Sequence, residues 1–196
     1  SLDDVGIRLC AEEPFIAYRI KDDDHAVVTK FAGSYNLMNI AAAIRIGRYF
    51  EVPEHSIHEA IAEYTPNSNR SEIRETASKR IIMDAYNANP TSMEHALKSF
   101  ARMKATDKLA ILGDMKELGA DSLQLHQSVI NLTYELGLNA TFIGDTFNKC
   151  QIPNPFTSHK NLEEMTSALK CSPINNATIL LKGSRGMRME TLAQFL

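Results

Sequence analysis

The 196-residue sequence has no tryptophan, only three cysteines and no apolar run near the 18 or so residues that a membrane-spanning helix needs, which excludes a spanning helix. Cys10, Cys150 and Cys171 are an odd set at wide spacing, which fits reduced, packing thiols in a cytosol better than a disulfide framework. Glycine (9) and proline (7) are too sparse for a collagen-like or low-complexity chain. Basic residues number 21 against 24 acidic ones, for a net charge of -3, and they form no cluster, which gives no nucleic-acid footprint. Ser1-Leu2-Asp3-Asp4 lacks the basic and apolar segments of a signal peptide. No Gly-x-x-x-x-Gly-Lys-Ser/Thr loop is present to hold a triphosphate, no Gly-x-Gly-x-x-Gly follows a strand, and no Gly-x-Ser-x-Gly elbow offers a nucleophile. The histidines are dispersed, and His55 with His58 has no third ligand nearby, so structural or solvated roles are expected for both.

With 44% apolar and 23% charged residues the chain can pack a core without metal or disulfide staples. Short runs at 7–10, 15–18 and 26–28, separated by acidic stretches such as Asp22-Asp23-Asp24, predict a small antiparallel piece. Leu37, Ile40, Ala41 and Ile44 then mark one helix over about 36–50, and Ile57, Ala60, Ile61 and Tyr64 a second after Pro53. Residues 65–78 are turn-forming and aperiodic, a candidate boundary between a unit at 1–77 and one at 78–196.

Beyond the boundary, apolar runs at 81–83, 109–112, 141–143 and 178–181 alternate with helical stripes. The stripes are Met93, Ala96, Leu97, Phe100; Leu125, Val129, Leu132, Leu136; Leu162, Met165, Leu169; and Met189, Leu192, Ala193, Leu196. Pro90 after Asn89, Thr91 with Glu94, and Asn161 with Glu164 read as helix starts. The predicted fold class is α/β: a Rossmann-like, doubly wound, mostly parallel sheet, preceded by the small β piece and two helices.

Ligands of such sheets bind beyond the carboxyl ends of the strands. Those ends are Asp84-Ala85-Tyr86-Asn87-Ala88-Asn89-Pro90, Gly113-Asp114-Met115, Gly144-Asp145 and Lys182-Gly183-Ser184-Arg185-Gly186. Gly144-Asp145 also reads as an ordinary turn. Two cations and a hydroxyl at 182–185 suit an anion or carboxylate. Asn36 and Asn39 sit three apart beside Ala41, Ala42 and Ala43, and an amide can read an adenine edge, although Asn36 equally suits a helix cap.

Five segments, in order, resemble the Mur ligase family: Gly33-Ser34-Tyr35-Asn36-Leu37-Met38-Asn39-Ile40-Ala41-Ala42-Ala43; Asn69-Arg70-Ser71-Glu72; 84–90; Leu112-Gly113-Asp114-Met115-Lys116-Glu117-Leu118-Gly119 with His126; and 182–190. The likeness runs from about residue 30 to the C-terminus and leans toward members that join D-alanyl-D-alanine to UDP-N-acetylmuramoyl tripeptide. It implies an ATP-dependent cytoplasmic ligase of peptidoglycan precursor synthesis, monomeric, with an acyl phosphate intermediate. It further implies that the chain is the end of a central ATP-binding domain plus a C-terminal domain. The triphosphate loop and the principal Mg²⁺ ligands are then expected upstream, and the fragment alone is expected to be inactive. By motif, Asn39 would meet adenine, with Asn36 a further nucleotide-binding candidate beside it, Arg70 the phosphate-ribose side and Asp84 the ribose hydroxyls, with Tyr86, Asn87 and Asn89 shaping the nucleotide side. Asp114, Lys182, Ser184 and Arg185 would face the dipeptide. The family usually has glycine where this chain has Asn69, a residue that tolerates the left-handed turn. A non-catalytic module binding a nucleotide or small acid, or another ligase of the Mur or folylpolyglutamate type, are the alternatives.

Overall fold

Alternating apolar residues at Ile7, Leu9 and Tyr18 build the first of two sheets in the computed structural model, which describes residues 2–12, 15–21, 25–67, 69–76, 78–105 and 107–196. Contacts divide the chain into two units, Ser1–Asn67 and Ser68–Leu196. The join falls at the start of the aperiodic 65–78 stretch rather than at 77/78. The reason is a strand, β4 (Glu72–Glu75), that pairs antiparallel with the next one, β5 (Lys79–Asp84).

In the first unit β1 (Ile7–Ala11), β2 (Ala17–Ile20) and β3 (Ala26–Val28) form the expected antiparallel sheet; the acidic turn at 22–24 lies outside the described residues. Helices α2 (Leu37–Tyr49) and α3 (Glu54–Glu63) follow the two stripes of the sequence, and a short α1 (Leu2–Val5), which the pattern does not predict, precedes the sheet. Helix α2 buries Leu37, Ile40, Ala41 and Ile44, the stripe that its spacing predicts. Helix α3 buries Ile57, Ile61 and His58, while Ala60 and Tyr64 are exposed. The histidine goes inside because both ring nitrogens are satisfied there: Nδ1 lies 2.7 Å from the Tyr18 hydroxyl and Nε2 3.1 Å from Glu54. Arg48 pairs with the same carboxylate and donates to the Val5 carbonyl at 2.7 Å, tying α1, α2 and α3 together. This ion pair holds the Glu54 carboxyl down at about 2, with the His58 hydrogen bond adding to it, and burial pushes the Tyr18 phenol up.

The second unit is a six-stranded sheet in the order β4-β5-β9-β6-β7-β8, with β6 (Lys108–Gly113), β7 (Asn139–Ile143), β8 (Thr157–His159) and β9 (Ala177–Lys182). All but β4 run parallel. Helices α4 (Pro90–Arg102), α5 (Ser122–Glu135) and α6 (Leu162–Cys171) complete it. Every residue of β9 is buried, as an almost wholly apolar central strand requires. One face of the sheet, with Ile81, Met83, Ile111, Ile143, Ile179 and Leu181, packs on Met165 and Leu169 of α6 and on Met189 and Leu192. The other face carries Ile82, Leu112, Phe142 and Leu180, also buried, in step with the two-residue period.

Several local expectations change. Helix α4 is capped by Asn89 with Ser92, not by Thr91 with Glu94: the Asn89 side-chain Oδ1 accepts the Ser92 N–H at 2.8 Å and Ser92 Oγ accepts the Asn89 N–H at 3.1 Å. Asn161 caps α6 through Glu164 N–H, as its spacing suggests. The buried stripe of α5 is His126, Val129, Ile130 and Thr133, one residue out of step with the leucines. The terminal apolar stripe forms a 3-10 helix, Met189–Gln194, whose buried Met189 and Leu192 are three apart, the period of that helix. Among the cysteines, Cys10 and Cys171 are exposed rather than packed; Cys150 is half-buried, which pushes its thiol up. No helix among the described residues is long and apolar enough to cross a membrane.

Candidate functional site

Parallel strands bring the ends of β5, β9, β6 and β7 to one edge, where the register sets Asp84 beside Lys182, Lys182 beside Leu112, and Gly113 beside Ile143. The polar groups at this edge are largely consumed by one another. Lys182 is 1% exposed; its Nζ donates to Asp84 Oδ2 at 2.7 Å and to the Asn87 carbonyl at 3.3 Å. Ser184 is buried too, with Oγ accepting the Lys116 N–H at 2.8 Å and donating to the Ala88 carbonyl at 3.4 Å. Asp114 is fully buried, and its two oxygens accept the N–H groups of Thr146 and Phe147, each at 3.0 Å. These three side chains hold strand ends together, and of the four residues expected to face the dipeptide Arg185 alone is exposed.

Two glycines make the arrangement sterically feasible. Gly144 has φ +134°, and a Cβ there would fall inside the Asp114 carboxyl, so this turn is a seat for a carboxylate as well as a turn. Gly183 lies against Gly113 and Met189: a Cβ would come within 2.7 Å of Met189 Cγ and 3.1 Å of Gly113 Cα. Its role is close packing.

His126, fully buried on α5, joins the same network. Its Nε2 accepts the Met115 N–H at 2.9 Å, and its Nδ1 lies 2.6 Å from the Ser122 carbonyl, to which it must donate. This pattern fixes the neutral, Nδ1-protonated ring. Desolvation lowers the pKa of His126 below its ordinary value, against opposing contributions from the Ser122 carbonyl and Asp114.

Beside the buried network, two exposed guanidiniums gather on one ring. Arg70 Cζ lies 3.5 Å and Arg185 Cζ 5.0 Å from the centre of the Tyr86 ring. Arg70, by a hydrogen bond and by its charge, and then Arg185 draw the Tyr86 phenol below its ordinary value. Arg70 is presented by a turn in which Asn69 takes φ 60°, so asparagine does adopt the left-handed turn. The Asn69 carbonyl accepts the Ala85 N–H at 2.8 Å, which anchors the turn to the end of β5. Of the other residues expected at a nucleotide, Asn87 accepts its neighbour Ala88's N–H at 2.8 Å and Asn89 is spent on capping α4.

In the first unit, Asn36 is buried; its side chain does not cap the helix but donates to the Ala32 carbonyl at 2.8 Å and accepts from Asn39 Nδ2 at 3.0 Å. Asn39 is an exposed residue of α2 whose amide nitrogen is turned onto Asn36.

An open cleft of about 540 Å³ lies over the ends of β6, β7 and β8. Lys116, Lys160 and Arg188 contribute positive charge to its lining, Asp145 and Glu163 negative charge, and the buried Asp114 lies beneath. Of these five exposed side chains, Asp145 lies at a strand end and Lys116 and Arg188 in family segments that the sequence marks, without a role at the site, while Lys160 and Glu163 are not singled out. Their one signal is position: each lies within a few residues of a strand end or of the 182–190 motif. No group of three His, Cys, Asp or Glu side chains that could hold a metal ion occurs among the described residues.

Residues 69–185 match the Mur ligase, glutamate ligase domain. The UDP-N-acetylmuramoyl-tripeptide--D-alanyl-D-alanine ligase of Bacillus subtilis is 28% identical over 91% of this chain and 41% of its own length. The protein of that name from Buchnera aphidicola subsp. Acyrthosiphon pisum is 32% identical over 85% and 37%, respectively. The chain thus spans about two-fifths of these relatives. Among solved structures, the MurF ligase from Thermotoga maritima in complex with ADP superimposes with a TM-score of 0.79 at 20% identity, covering 97% of this chain and 45% of that one. MurF from Acinetobacter baumannii does so with 0.76 at 24%, covering 96% and 43%.

Proposed function

The chain belongs to the Mur ligase family, and from that premise we propose that it is part of an ATP-dependent ligase joining D-alanyl-D-alanine to UDP-N-acetylmuramoyl tripeptide. The observation that carries the reading is the cleft: charges of both signs line it, Lys116, Lys160 and Arg188 against Asp145 and Glu163, at the sheet edge where α/β folds take ligands. A free dipeptide is a zwitterion, and such a lining offers its carboxylate cations and its ammonium carboxylates.

In the proposed reaction the γ-phosphoryl group of ATP passes to the terminal carboxylate of the tripeptide, releasing ADP. The dipeptide amine, having given up a proton, attacks the carbonyl of the acyl phosphate, the amide bond forms and phosphate leaves. Such chemistry depends on positioning and charge neutralisation more than on a nucleophilic side chain. Arg70 and Arg185, exposed on the Tyr86 ring, supply guanidiniums suited to phosphate oxygens or a carboxylate. Asp84 keeps its proposed role at the ribose, held in place by Lys182, and Asn39 its proposed role at adenine. Asn36 supports Asn39, and Asn87 and Asn89 shape the loop that carries Tyr86. Lys182, Ser184 and Asp114 act on the dipeptide through the loops that they pin, not by contact. Mg²⁺ belongs to this reading as the partner of ATP, its main ligands expected outside this chain. A monomeric, cytoplasmic protein goes with this reading.

The test is phosphate release from Mg-ATP by the complete gene product that contains this chain, given UDP-N-acetylmuramoyl tripeptide and D-alanyl-D-alanine separately and together. Release that needs both is expected. Release with the tripeptide and a single amino acid, but not with the dipeptide, would move the chain to another ligase of the family; a nucleotide bound without turnover under any combination would support a non-catalytic module.

A further inference from the structure

We propose that His126 is a positioning residue for the acceptor cleft, fixing through its neutral ring the loop Asp114–Lys116 that forms one wall. The proposal rests on the acceptor reading above. The Met115 N–H points at Nε2, so any proton added there would set donor against donor and leave a buried amide without its acceptor. The next amide along, Lys116 N–H, is held by Ser184 Oγ, so the two bonds together set where the Lys116 side chain enters the cleft.

A charged group does face the ring, but none can replace the acceptor that the Met115 N–H would lose. From the loop after β6, the Asp114 carboxylate lies 3.5 Å from Nε2 and favours a proton there, while its two oxygens also hold the Thr146 and Phe147 N–H groups. The Lys116 ammonium opposes a second positive charge. From the turn after β7, Phe147 presents an uncharged ring, edge to face, with centroids 4.5 Å apart. On α5 itself the Ser122 carbonyl already takes the Nδ1 proton. Protonation therefore releases the Met115 amide, and the cleft wall with it.

The experiment uses the complete gene product that contains this chain, labelled with ¹⁵N. Imidazole nitrogen shifts give the tautomer, and the backbone amides of Met115 and Lys116 are followed against pH and against added D-alanyl-D-alanine. Expected are an Nδ1–H tautomer, loop amides that move with the same midpoint as the ring, and dipeptide affinity that falls as the ring protonates. His126→Gln, whose side-chain carbonyl can accept the Met115 N–H, should bind within about threefold of the parent. His126→Phe should bind roughly tenfold more weakly, the equivalent of one lost hydrogen bond. An Nε2–H tautomer, or a Met115 amide indifferent to the ring in a chain that binds dipeptide, would overturn the positioning role alone. Loop amides that follow the ring in a chain that takes up no dipeptide at any pH would overturn the acceptor reading, and the cleft role with it. If His126→Phe fails to fold, the pH series and His126→Gln decide.

Discussion

Removing the Asp84 carboxylate should cost the second unit far more than removing both Asp84 and Lys182. The Lys182 side chain is 2% exposed, and without Asp84 its ammonium keeps, among the described residues, only the Asn87 carbonyl at 3.3 Å. Breaking a buried pair by deleting one partner costs about 3–5 kcal/mol, because the remaining charge stays desolvated. For a unit of this size that is roughly 10–15 °C in Tm. Replacing the lysine with a similarly shaped apolar side chain as well removes that charge, so Asp84→Ala with Lys182→Met should recover about 2 kcal/mol or more of the single loss. With no tryptophan to report, guanidinium melts followed by far-UV circular dichroism are the assay, with hydrogen exchange assigning the change to residues 69–196. An Asp84→Ala cost under about 1 kcal/mol, or strict additivity in the cycle, would refute the claim that this pair holds the site together.

Gly144→Ala should destabilise by about 2 kcal/mol or more, since it strains φ +134° and displaces the Asp114 carboxyl; a loss below about 1 kcal/mol by the same melts would count against the seat. Arg70→Ala should raise the Tyr86 phenol pKa toward its ordinary value, and more than Arg185→Ala does, as read by absorbance titration; equal or absent shifts would dissolve the cluster. Glu54 sits near 2 when folded, below its ordinary value, so its contribution is full above about 4.5 and is lost as pH falls toward 2. Glu54→Gln should flatten that acid limb in denaturation of the first unit between pH 2.5 and 6, and an unchanged slope would sink the Arg48–Glu54–His58 linkage.

Strands β5, β6, β7 and β9 are legible in the sequence because burial on both faces makes each a continuous apolar run. Strand β4 is not, since Glu72-Ile73-Arg74-Glu75 is a charged edge, and the three residues of β8 are too few and too polar to show a period. On α5 the pattern misleads: His126 and Thr133 go inward because Met115, Ser122 and Val129 backbone groups satisfy them, and no hydropathy count contains those bonds. The site divides likewise. That Asp84, Asp114, Lys182 and Ser184 end strands can be read along the chain, but that they are enclosed depends on partners 98 positions away for Lys182 and 68 for Ser184. The charged lining at Lys116, Asp145, Lys160, Glu163 and Arg188 has no local signature, since each residue alone resembles ordinary solvated surface.

In the sheet order, β9 lies between β5 and β6, although it is made after every strand it joins. During synthesis β5 with β4, and β6 with β7 and β8, can exist only as two separate ribbons, each with a bare apolar edge where β9 belongs. Of the six strands, the one made last is therefore the one that closes the sheet. Until it inserts, Asp84 has no lysine, Lys116 no serine hydroxyl, and the cleft no Arg188 wall, so assembly of the site waits on the emergence of β9 and the segment after it.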